Sequence, residues 1–206
     1  LRKYGYELIA HIKGEVQKKA EPQKTKNSFY LDIIKQLEEY DKRFNLNTII
    51  IASPSFWKED LLKELSNDSL RKKIILATCS SVGRNAIEEV LKRSEVREAL
   101  KQDRVIHEIK LVEDLLKEIS TSNLATYGIK EVEQAVNTGA VKVLLVTDSY
   151  IYKARENNLY GKLDNLMKLT ESMRGKVCII NSEHDGGKKL DGLGGIAALL
   201  RYKLNY

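Results

Sequence analysis

Residues 176–202 read KVCIINSEHDGGKKLDGLGGIAALLRY. The run Lys176-Val177-Cys178-Ile179-Ile180 is short and apolar, the pattern of a buried strand. A polar turn, Ser182 to Gly187, leads through Lys188-Lys189-Leu190-Asp191 to a second glycine pair, Gly194-Gly195. A second apolar run, Ile196 to Leu200, is closed by Arg201 and Tyr202. Two apolar runs joined by polar, glycine-rich residues predict neighbouring sheet elements with an exposed connection able to carry function.

Working outward, a helix from about Gly161 to Met173 stops at Gly175, after a polar loop through Asn157 and Asn158. Val141 to Val146 predicts a buried strand. Tyr127-Gly128 opens a helix carrying Ile129, Val132 and Val136, with Gly139 placed to end it. Ile106, Ile109, Val112, Leu115, Leu116 and Ile119 form one apolar helix face. The first half repeats this grammar. A helix carries Phe29, Ile33, Leu37, Tyr40 and Phe44; Thr48 to Ala52 is a strand broken by Ser53-Pro54; a helix follows from about Phe56 to Leu65. Lys73 to Thr78 is the next strand, and Thr78 to Gly83 turns into a helix from Arg84 to Lys92. Strand alternating with helix predicts an α/β class with parallel pairing. Ahead of all this, Tyr6, Leu8, Ala10 and Ile12 alternate at strand period, so the domain reads as truncated upstream. The domain boundary falls near Asp103, giving domains 1–103 and 104–206.

A hydrophobic share of 42% supports packed cores, and a charged share of 31% places the chain among soluble proteins; a cytoplasmic monomer is the expectation. No apolar run approaches the roughly 20 residues of a membrane helix. Cys79 and Cys178 each sit in or beside an apolar run and read as reduced core residues. His11, His107 and His184 are too scattered for a metal site, so no metal ligands are assigned. The net charge is +6, and residues 1–26 hold seven Lys or Arg against three acids. A basic segment of that kind favours a polyanion through counterion release. It is also an ordinary solvated surface, so the charge by itself indicates RNA weakly.

The ordered series Ser182-Glu183-His184, Gly187-Lys188-Lys189-Leu190, Gly194-Gly195-Ile196 and Leu200-Arg201-Tyr202 resembles the end of the Pelota proteins, relatives of the class-1 peptide-release factors. Ile50-Ile51-Ala52-Ser53-Pro54-Ser55-Phe56 resembles their central-domain strand with its Pro-Gly-Phe element, Ser55 standing where glycine is usual. The resemblance covers essentially the whole chain as central and C-terminal domains, without the family's N-terminal RNA-reading domain. It implies a ribonuclease-H-like central domain and a three-layer α/β/α C-terminal domain of ribosomal-protein type. It implies ribosome rescue and mRNA surveillance of the no-go-decay type, with an elongation-factor-type GTPase and an ABC-type recycling ATPase as partners. Pro54, Ser55, Phe56, Arg201 and Tyr202 become the expected GTPase contacts. Lys18, Lys19, Lys24 and Lys26 become the expected contacts to ribosomal RNA or tRNA.

Other chemistry has less support in the sequence. Release factors hydrolyse peptidyl-tRNA with a Gly-Gly-Gln loop; none occurs here, and Gln17 to Ser28 contains no glycine. The glycine pairs match neither nucleotide fingerprint and read as turns and close approaches. Glu183-His184-Asp185 passes for an acid–base cluster, but an exposed turn is the plainer reading. Asp148, after a buried strand, reads as a helix cap or surface acid. Phe56 and Trp57 suit core and exposed contact equally. No catalytic residue and no cofactor is assigned. Two alternatives stay open: a divalent-metal-dependent endoribonuclease, an activity the family's N-terminal domain is credited with, and a stand-alone ribosomal-type RNA-binding protein.

Overall fold

In the computed structural model, residues 6–14 and 28–204 are described. The chain divides into two compact units, Leu1–Lys101 and Gln102–Tyr206. The first holds α1 (Ser28–Phe44), β1 (Ile49–Ser53), α2 (Trp57–Glu64), α3 (Asp68–Arg71), β2 (Ile74–Thr78) and α4 (Arg84–Lys92). The division falls within α5 (Ser94–Thr121). The domain boundary expected near Asp103 thus lies inside one helix rather than between two elements. No glycine or proline interrupts 94–121, so the backbone continues as one helix.

In the first unit β1 and β2 pair in parallel, from Ile49 opposite Ile74 to Ser53 opposite Thr78. Both faces of this pair are apolar, as parallel strands require. Tyr30 and Ile34 of α1 pack with Ile49, Leu61 and Leu70 on one side. Ala86 and Val90 of α4 pack with Ala77, Cys79 and Val96 on the other. The expected strand at Tyr6 to Ile12 is not formed: residues 6–14 carry no regular structure, and both Leu8 and Ile9 are exposed. Alternation proposes a strand, but only backbone pairing makes one.

The second unit adds β3 (Ala125–Tyr127), α6 (Ile129–Asn137), β4 (Val141–Thr147), α7 (Asp148–Glu156) and α8 (Tyr160–Ser172). It ends with β5 (Lys176–Ile180), α9 (Asp185–Gly192) and β6 (Ile196–Leu200). The sheet order is β3-β6-β4-β5, with β5 parallel to β4 and β6 antiparallel to both neighbours. Val132, Val136, Ala154, Leu163 and Leu166 from α6, α7 and α8 cover one face, over Leu144, Val146 and Ala198. Val112 and Leu115 of α5 and Leu190 of α9 cover the other, over Val143, Leu145 and Ala197. The unit is therefore three layers, α/β/α. A bulge in β4 between Val141 and Val143 turns Lys142 out to solvent and keeps Val141 on the same face as Leu144.

Three expectations are corrected here. The two apolar runs of the 176–202 stretch are not neighbours; β4 lies between β5 and β6. The reason is burial: β4 is apolar on both faces and takes a central place, whereas β5 exposes Lys176 and Ile179 and suits an edge. The connection 182–195 is not simply a loop but holds α9, with Gly186 and Gly187 buried at its start. The tyrosine-bearing stretch before Asn157 is α7, capped by the Thr147 hydroxyl, which accepts from the Tyr150 N–H at 3.1 Å.

Candidate partner-docking surfaces

In the first unit, the loop between β1 and α2 is fixed by the residues that flank it. The buried Ser53 hydroxyl donates to the Ser55 carbonyl at 2.6 Å and accepts from the Lys58 N–H at 3.2 Å. The buried Lys58 ammonium donates to the same carbonyl at 3.1 Å and pairs with Glu59 at 3.2 Å. Held this way, the loop turns Phe56 outward to 66% exposure and Trp57 to 38%. Both aromatics thus lie on the surface rather than in the core. Ser55 is not among the positive-φ residues, so serine occupies this loop without strain.

In the second unit, Arg201 and Tyr202 hold helix ends. The Arg201 guanidinium donates to the Gly139 carbonyl at 3.2 Å and the Met173 carbonyl at 3.0 Å. The Tyr202 hydroxyl donates to the Thr138 carbonyl at 2.7 Å. These carbonyls are the open ends of α6 and α8, which carry partial negative charge. Both side chains are exposed all the same, so each retains a solvent-facing surface. Ile196 and Leu200, beside them in sequence, are buried in the sheet. Lys18, Lys19, Lys24 and Lys26 lie outside the described residues.

The Glu183-His184-Asp185 turn is resolved differently from its sequence reading. His184 points inward: its Nε2–H donates to Glu108 at 2.9 Å, and its Nδ1 accepts from the Gly187 N–H at 3.1 Å. The ring is thereby a neutral tautomer that caps α9. Glu108 is only 2% exposed and also accepts from the Asn181 N–H at 2.8 Å and from Arg104 at 2.6 Å. Burial pushes the Glu108 carboxyl up, but the Asn181 N–H, His184 and Arg104 outweigh it and hold it below the usual carboxylate range. An isolated buried carboxylate is costly, and these donors offset that cost. A Cβ at Gly187 would overlap the Asn181 carbonyl oxygen, so close backbone approach explains this glycine. Asp148 is held low as well: burial raises it, and the Ser182 hydroxyl and N–H and the Ser149 N–H more than compensate. It ties the start of α7 to the end of β5.

Sequence reading missed Glu108, although the signal was present. Glu108, Val112 and Leu115 fall on one helical face, so the acid was marked as inward-facing by its apolar neighbours. Among the described residues no group of three or more His, Cys, Asp or Glu could hold a metal ion, and no helix is long and apolar enough to cross a membrane. Cys79 and Cys178 are not joined in a disulfide.

Residues 3–102 match eRF1 domain 2, and residues 105–204 match eRF1 domain 3. Both units are therefore domains of the release-factor type. The Protein pelota homolog of Pyrococcus furiosus is 39% identical over 209 residues, 99% of this chain and 58% of its own length. A structure of ribosome-bound archaeal Pelota and ABCE1 matches at 40% identity with a TM-score of 0.60, over 86% of this chain and 50% of that one. Dom34 of S. cerevisiae, a translation termination-like factor involved in RNA quality control pathways and interacting with Hbs1, matches at 29% identity and a TM-score of 0.53, over 86% of this chain and 53% of that one. The chain belongs to the Pelota family of the class-1 release-factor superfamily. It spans 58% of the length of the curated relative from P. furiosus.

Proposed function

We propose that this chain serves in a ribosome-rescue and mRNA-surveillance factor that acts with a translational GTPase at stalled ribosomes and promotes subunit dissociation without releasing peptide. One observation carries the reading: both units match the family end to end, yet no Gly-Gly-Gln occurs in the sequence. Peptidyl-ester hydrolysis needs a water positioned at the carbonyl, and Gln17 to Ser28 offers neither that motif nor any glycine. The relatives' partners support an ABC-type recycling ATPase and a GTPase as the two machines engaged. In this reading the chain works in the cytoplasm as an adaptor. Pro54, Ser55 and Phe56 meet the GTPase, Arg201 and Tyr202 contribute from the second unit, and Lys18, Lys19, Lys24 and Lys26 hold RNA phosphates.

The experiment is reconstitution on stalled ribosomes with the GTPase and the ATPase. Subunit splitting that depends on the factor, with peptidyl-tRNA left intact, is the expected result. Hydrolysis of the peptidyl ester, or splitting that proceeds equally without the factor, overturns the reading. RNA cleavage assayed with and without chelator tests the endoribonuclease alternative directly.

A further inference from the structure

Val82 is the most exposed large hydrophobic side chain among the described residues, at 79%. It sits in the loop Cys79–Gly83 between β2 and α4. Because β1 and β2 are parallel and paired to Ser53 opposite Thr78, this loop and the Pro54–Phe56 loop leave the sheet at the same end. The Cys79 N–H donates to the Ser53 carbonyl at 3.3 Å, joining the two at their base. Pro54 and Trp57 from one loop and Ser81 and Val82 from the other line the same open cleft.

The second loop is as firmly held as the first. One oxygen of Glu89 accepts from the Ser80 N–H at 2.8 Å and the Ser80 hydroxyl at 2.7 Å, and the other accepts from Arg93 at 2.8 Å. Gly83, at φ +126°, lets the chain turn sharply from the loop into α4. An apolar side chain on an anchored loop has lost little freedom to gain by hiding, and its exposure suits a partner that covers it.

We propose that Val82, Pro54, Phe56 and Trp57 form one two-loop apolar docking surface, with Val82 as its second anchor, for a folded protein partner. The proposal rests on the GTPase reading above and extends that contact from the Pro54–Phe56 element to the neighbouring Cys79–Gly83 loop. The chemistry selects protein over nucleic acid. Phosphate binding needs cations, and residues 53–57 and 79–83 carry none; of the cations nearby, the buried Lys58 ammonium is committed to Ser55 and Glu59, Arg84 begins α4 behind Gly83, and Lys13 also lines the cleft. The exposed aromatics Phe56 and Trp57 belong to the residue types enriched at protein interfaces.

The test measures binding of the chain to the GTP-loaded elongation-factor-type GTPase of Pyrococcus furiosus, source of the 39% identical relative. Val82→Asp, Val82→Ala and Phe56→Ala are compared with the parent, circular dichroism verifying the fold. The expected result is at least a tenfold weaker Kd for Val82→Asp, a smaller loss for Val82→Ala, and little change with salt. Loss of binding in Phe56→Ala with Val82→Asp unchanged overturns the two-loop surface and leaves the GTPase reading standing. Binding that survives both Phe56→Ala and Val82→Asp overturns the two-loop surface and the Pro54–Phe56 contact but not the GTPase partnership, whereas a parent that does not bind overturns both. RNA binding that falls in Val82→Asp while GTPase binding holds also overturns the proposal.

Discussion

Replacing His184 with alanine isolates the contact that ties α9 to α5. The substitution removes an N-cap, a change that costs about 1 kcal/mol. It also removes a hydrogen bond to the buried Glu108 carboxylate, of a class worth about 1.5–3 kcal/mol. Glu108 keeps the Asn181 N–H and Arg104, and the ring site borders solvent, so water recovers part of the second term. The net expectation is about 2–3 kcal/mol, which for a unit near 100 residues lowers its Tm by roughly 10 °C or more. His184→Asn separates the terms: asparagine caps well but is too short to reach Glu108, so it recovers about 1 kcal/mol. Thermal unfolding by circular dichroism gives the totals, and hydrogen exchange gives the location, with protection at the Gly187 amide falling in His184→Ala and returning in His184→Asn. A loss below about 0.5 kcal/mol with Gly187 still protected would refute the reasoning.

Three further outcomes are expected. Glu108 and Asp148 both sit below the ordinary carboxylate range when folded, so their contribution is complete above the unfolded value of about 4 and disappears as pH falls through the folded value. Stability should therefore decline on the acid side, and Glu108→Gln should flatten that decline while lowering stability at neutral pH; an unchanged acid limb speaks against the assignment. Gly187→Ala forces the start of α9 away from Asn181 and should cost about 3 kcal/mol, read as a lowered denaturant midpoint. Tyr202→Phe removes only the hydroxyl that bonds Thr138 and should cost about 1 kcal/mol, with partner affinity kept if the ring, not the hydroxyl, makes the contact.

The order of elements was largely readable from the chain alone, because strand and helix periods are local properties. Arg84–Lys92 was placed to the residue, and the apolar run at 141–146 is β4. Motif spacing also carried the family, since Gly194-Gly195-Ile196 to Tyr202 is legible without coordinates. What needed tertiary structure was pairing. Sequence adjacency put the 176–180 and 196–200 runs side by side, while the sheet inserts β4, whose two apolar faces leave it only an interior position. Among the described residues the alternation at Tyr6 to Ile12 has no partner strand, and periodicity cannot supply one.

The sites divide the same way. That Phe56 is exposed follows from hydrogen bonds made by Ser53 and Lys58 to the loop's own backbone, which no propensity reports. Glu108 meets His184 across 76 positions of sequence, and Val82 becomes a neighbour of the Pro54 loop only because two strands run parallel. Composition and period thus decided which residues are apolar and how each segment folds. The sheet decided which distant groups share one surface, because contacts between far-separated residues are fixed by packing rather than by any local preference of the chain.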